Sequence, residues 1–167
     1  MLLPSLKILL IVLLVLTNGL FAMAEFALLK ARRKSLGEGK SAEAVLDLLE
    51  EPNRFLSTVQ IAITAVGTLA GALGGATLAD ELGVLLNRFA PLHPHGEAVA
   101  VVIVWLSITF LSLVLGELVP KRLALRAPDV WALRLGRSMR ALSVLFAPLV
   151  KLLSFSTNLI LRLMGQE

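Results

Sequence analysis

The chain has 167 residues, of which 57% are hydrophobic, with a mean hydropathy of +0.85 and a formal net charge of +4. So much apolar surface exceeds what a soluble domain of this length needs, and places the chain in the integral membrane class. It has no cysteine, which excludes disulfide frameworks, thiolate metal sites and cysteine nucleophiles.

A bilayer-spanning helix takes about 20 apolar residues. Residues 8–29 supply the first, with Glu25 near its end. Lys7 and Ala22-Met23-Ala24 also fit a secretory leader with a small-residue cleavage site, a reading that would leave two spans. The basic cluster that follows at once favours a retained span. Residues 41–51 read as a short amphipathic helix with Val45, Leu46 and Leu49 on one face, ended by Pro52. Residues 55–79 form a second span without a charge. The segment 80–97 reads as a loop with Pro91, His93, Pro94 and His95, and the two histidines lack a nearby third ligand. The third span, 98–119, runs into Gly116-Glu117-Leu118-Val119-Pro120-Lys121.

Beyond Pro128 the pattern changes. Asp129 is expected to cap a helix carrying Arg134, Arg137 and Arg140. Pro148 should break it, and 149–164 forms a second amphipathic helix with Lys151, Asn158 and Arg162 on its polar stripe. A fourth span there would bury Lys151 near the bilayer centre at about 3 kcal/mol. An interfacial belt over 129–166, meeting anionic head groups, is expected instead. The fold class is therefore all-α integral membrane, with three transmembrane helices plus cytoplasmic amphipathic juxtamembrane helices.

Six of the 16 Lys and Arg residues lie between the first and second spans and eight follow the third. The positive-inside bias puts both segments in the cytoplasm, with the N-terminus outside and the C-terminus cytoplasmic in a multi-pass cell-membrane protein. Because these cations flank spans, nucleic-acid binding is a poor reading.

The chemistry concentrates at Glu117. Carboxylates are rare inside membranes and mark function by default. Pro120 has no N–H to bond the carbonyl four residues back, so it is expected to free the Gly116 oxygen beside Glu117. Ser57, Gln60 and Thr64 at the start of the second span, and Glu25 in the first, are expected at the same depth. Bland readings compete: Glu25 could pair with Lys30 or Arg32, Glu117 with Lys121 or Arg122, and Asn18 could bond a neighbouring helix. The glycine stripe Gly67-Gly71-Gly75 reads as small-xxx-small helix packing. Oxygen-only donors suit hard ions, and physics alone leaves Mg²⁺ and Na⁺ unseparated. The spans hold no His-acid-Ser or metal-ligand motif of an enzyme.

GELVPK (116–121), NGLFAMAEFAL (18–28) and NRFLSTVQIAIT (53–64) together resemble the CorC/CNNM family, specifically its membrane domain, across essentially all of 1–167. The resemblance implies a magnesium transporter, usually assigned to efflux, with Na⁺ entry as the coupling reaction. It also implies a homodimer of three-span subunits in the lipid bilayer, followed in full-length members by cytoplasmic CBS modules. It carries Gly116, Glu117 and Pro120 over as the ion-site core, with Ser57 and Gln60 beside them. Animal relatives have serine and asparagine where this chain has Ala22 and Glu25. The rival reading is a non-transporting membrane Mg²⁺ sensor or assembly domain.

Overall fold

The computed structural model describes residues 4–88, 91 and 93–165, which are helical throughout apart from short connections. In chain order the helices are α1 (Pro4–Lys30), α2 (Lys40–Glu50), α3 (Pro52–Leu86), α4 (Gly96–Leu113), a π-helical turn (Val114–Leu118), α5 (Val119–Arg126), α6 (Pro128–Leu145) and α7 (Ala147–Leu163). Three stretches among the described residues are long and apolar enough to cross a membrane: Ser5–Lys30, Pro52–Leu86 and Gly96–Arg126. This agrees with the three spans read from the sequence.

The second span is longer than its charge-free core. At 35 residues, α3 extends over roughly 52 Å at 1.5 Å per residue, against about 30 Å of hydrocarbon. Asp80 and Glu81 therefore belong to the helix, and the loop expected from residue 80 begins only at Asn87. The reason is local: Asp-Glu-Leu contains no helix breaker, so the ladder runs on past the apolar run. Asn87 then does the work of a cap, its Oδ1 accepting from the Gly96 N–H at 2.9 Å at the start of α4. Residues 89, 90 and 92 of the expected loop lie outside the described residues, and His93 and His95 are exposed.

The chain divides into two compact units, each described by itself. Unit 1 comprises Met1–Met23 and Ala62–Leu123. Its apolar core is Ile11, Val15, Ala79, Val104 and Ile108, with Leu73, Leu78 and Leu82 packed against it. Gly74 packs against Ile108, where an added Cβ would meet the movable end of that side chain. Lys7 Nζ donates to Glu81 Oε1 at 2.6 Å, tying the start of α1 to the charged end of α3.

Unit 2 comprises Ala24–Ile61 and Ala124–Glu167. Its largest fully buried side chains are Leu28, Val45, Phe55 and Val59. The buried stripe of α2 is Ala44, Val45 and Leu48 rather than Val45, Leu46 and Leu49. The register turns because α2 packs on α6 at Gly136, where a Cβ would lie 2.5 Å from Val45 Cγ2. Close approach at that glycine centres the contact on Val45. Arg140 and Asp47 flank it with an ion pair at 2.6 Å. The break expected at Pro148 falls at Phe146, with α6 and α7 bent by 62°. Pro148 sits in the first turn of α7, where a missing N–H removes no bond.

Asp129 does not cap its own helix. Ala127 occupies the N-cap position, and the Asp129 carboxylate accepts instead from the Arg32 backbone N–H at 2.9 Å and from Ser35 Oγ at 2.7 Å. It thereby pins the 3-10 turn Arg33–Ser35 that follows α1. These bonds, led by the one from Arg32 N–H, hold its pKa below the ordinary aspartate value. A lowered carboxylate pKa stabilises the fold at neutral pH, and this contribution is lost as pH falls through the lowered value. We expect Asp129→Ala to raise amide exchange at Arg32 about tenfold at neutral pH, the size expected for a charged hydrogen bond. Hydrogen-exchange mass spectrometry of the peptide spanning 31–36 measures this; unchanged protection there would refute it.

Candidate functional site

The third span passes Pro120 without breaking. Five residues, Val114–Leu118, adopt π-helical geometry, and the Val119 N–H bonds the Val114 oxygen, five residues back. A π turn inserts one residue into the ladder, and such turns concentrate at functional sites. The insertion also frees a second carbonyl. In α register the Leu115 oxygen would take the Val119 N–H, which here goes to Val114. In π register its partner would be Pro120, which has no N–H. Pro120 still gives the Gly116 oxygen no donor four residues on, and the Leu115 oxygen is now without a ladder partner as well.

That oxygen meets α1. A Cβ at Gly19 would lie 2.7 Å from Leu115 O and 2.9 Å from Pro120 Cγ. On the neighbouring turn Gly116 is buried, and a Cβ there would lie 3.2 Å from Val15 O and 3.4 Å from Asn18 Nδ2. Two glycines on facing helices therefore let the π turn sit directly on the α1 backbone. The motifs Asn18-Gly19 and Gly116-Glu117, far apart in sequence, meet within unit 1.

Beside this contact lies a cleft of about 390 Å³. Asn18 from α1, the glycines Gly67, Gly71 and Gly75 from α3, and Trp105, Thr109 and Ser112 from α4 line it, together with Glu117. Glu117 is its only charged lining residue among those described. Asn18 Oδ1 is buried and has no hydrogen-bond partner among the described residues, a costly state for an amide oxygen. The three glycines are the floor of the cleft rather than packing contacts within the chain, since a Cβ at any of them would touch nothing within 4 Å. Thr109 and Ser112 were not singled out in the sequence. Their spacing of three, with Trp105 one turn earlier, places them on the stripe that faces the cleft, and that period was the available signal.

Glu117 is paired within its own helix: Lys121 Nζ donates to Glu117 Oε1 at 2.6 Å. The glutamate side chain is 45% exposed and the lysine 26%. The ion-pair reading of the sequence is what the geometry displays at this residue. Thr64, also in unit 1, is exposed one turn before Gly67 and does not line the cleft. Glu25, Ser57 and Gln60 lie in unit 2, where Glu25 and Ser57 are half-buried and Gln60 is exposed. Glu25 forms no ion pair with Lys30 or Arg32 among the described residues. Asn18 makes no interhelical bond through its oxygen among the described residues. No three His, Asp or Glu side chains among the described residues cluster as a metal site.

The model of the cyclin M transmembrane N-terminal domain matches residues 9–167. The chain belongs to this CNNM family of membrane domains. It is 42% identical over 166 residues to a UPF0053 protein of Synechocystis sp., covering 96% of this chain and 37% of the relative. It is 31% identical over 165 residues to the polyamine export protein of Haemophilus influenzae, covering 93% of this chain and 37% of the relative. Against the polyamine export protein of Escherichia coli K12 the identity is 30% over 162 residues, covering 94% and 36%. The chain thus spans well under half the length of these relatives. Family membership and the three long apolar helices together make it a multi-pass membrane protein.

Proposed function

We propose that this chain is the membrane part of a cation exporter, that Mg²⁺ is its cargo and that the cleft of unit 1 is where the ion is held. The observation that carries this is Glu117, a lone carboxylate lining a cleft among apolar helices. Mg²⁺ keeps most of its waters and is often bound through one or two carboxylates. Six waters occupy roughly 180 Å³ at about 30 Å³ each, which a cleft of about 390 Å³ accommodates. Glu117 supplies the charge, and Asn18, Thr109 and Ser112 bond the hydration shell. Gly116 contributes by bringing Asn18 close to Glu117. Thr64 in unit 1, and Glu25, Ser57 and Gln60 in unit 2, stand as further oxygen donors for the cation. Alternating access, Na⁺ entry as the coupling reaction, a homodimer in the bilayer, a cytoplasmic C-terminus and cytoplasmic CBS modules in the full-length protein complete the reading.

A second cargo, an organic polyamine, is favoured by a specific observation. The cleft has one carboxylate and an apolar lining that includes Trp105, a surface suited to an alkyl ammonium. Two relatives carry the name polyamine export protein. Liposomes containing the purified chain separate the two. A trapped Mg²⁺-sensitive dye should report Mg²⁺ flux that excess putrescine leaves unchanged. Putrescine flux without Mg²⁺ flux would transfer the proposal to the organic cargo. Binding of Mg²⁺ without flux of either would establish the sensor reading instead.

A further inference from the structure

We propose that Lys121 is a tethered competitor for the cargo: it neutralises Glu117 when the cleft is empty and is displaced when a cation binds. This rests on the cation-site reading above. The lysine ammonium lies 2.6 Å from Glu117 Oε1, yet Lys121 is not among the residues lining the cleft. Glu117 therefore stands between two cation positions, one filled by its own helix and one open to the cleft.

The pairing has a physical consequence on each side of the cycle. A half-exposed carboxylate beside apolar helices is modestly disfavoured when unpaired, so the lysine stabilises the empty site. A cargo that met a bare carboxylate would also be held more tightly and leave more slowly, whereas conduction requires entry and release to be comparably easy. With Lys121 present, binding exchanges one cation for another, and the ammonium returns as the cargo departs. The side chain suits that motion, being a point charge on a flexible four-carbon stem that can reach toward the interface. Its position one turn after Glu117, just past the π turn, keeps it within reach throughout.

Calorimetric titration of the purified chain with MgCl₂, and separately with putrescine, tests this. Lys121→Gln should bind the cargo about fivefold tighter, the upper range for releasing a partly exposed ion pair. Lys121→Met, which keeps an apolar stem, should tighten binding likewise, and Lys121→Arg should restore wild-type affinity. A lysine with a purely structural role would yield weaker binding or none on removal. Equal or weaker binding by Lys121→Gln and Lys121→Met, with Glu117→Gln still weakened, would overturn the inference and leave the cation site standing. A wild-type titration by Glu117→Gln would overturn both.

Discussion

Glu117→Ala is expected to reduce cation flux in liposomes by at least about a hundredfold while leaving the protein folded. The substitution removes the only charge lining the cleft among the described residues and leaves Asn18, Thr109 and Ser112, all neutral. A neutral polar shell offers little against the hydration a cation gives up, and a lost charge-assisted contact of about 3 kcal/mol is roughly a hundredfold. Stability should barely move. Glu117 is half-exposed, and an ion pair of that kind contributes about 0–1 kcal/mol. The Lys121 side chain has a long stem that can carry its ammonium toward the interface. Flux and thermal unfolding in detergent are therefore read together. Wild-type flux in a folded Glu117→Ala protein would end the proposed function.

Gly19→Ala should act in the opposite way, through the fold. Its Cβ would fall 2.7 Å from the Leu115 oxygen and 2.9 Å from Pro120 Cγ. One is backbone and the other a closed ring, so neither yields by rotating a side chain. α1 would have to withdraw from the π turn, and overpacking of that kind costs about 1–3 kcal/mol. Withdrawal would also carry Asn18 away from Gly116 and open the cleft at Glu117. A lowered melting temperature together with weakened cation binding is expected. An unchanged melting temperature would mean that the close approach of Gly19 to the π turn plays no part in holding the fold.

The span count was legible because lipid imposes a length and an apolarity that composition reports directly. Glu117 stood out for the same reason, since an acid in such a run is costly. A second freed carbonyl was not legible. Reading Pro120 against a regular ladder points to Gly116, and only the five-residue bond at Val119 adds Leu115. The role of Gly67, Gly71 and Gly75 was equally hidden, because a small residue suits both close helix contact and the floor of a cleft. Asp129 looked like an N-cap by position, yet its carboxylate is used by a turn 94 residues away in sequence.

Sequence alone determined that the chain crosses a membrane, that its helices break near Pro52, Pro128 and Pro148, and that one acid at position 117 needs a reason to be there. These follow from solvation and from backbone chemistry, which act on each residue in place. Tertiary structure decided which glycines touch, that a second carbonyl is orphaned, and that Asn18 and Glu117 line one cleft with Lys121 already on the acid. Those outcomes depend on how closely α1 and the third span approach, a distance set by Gly19 and Gly116 together and by neither motif separately.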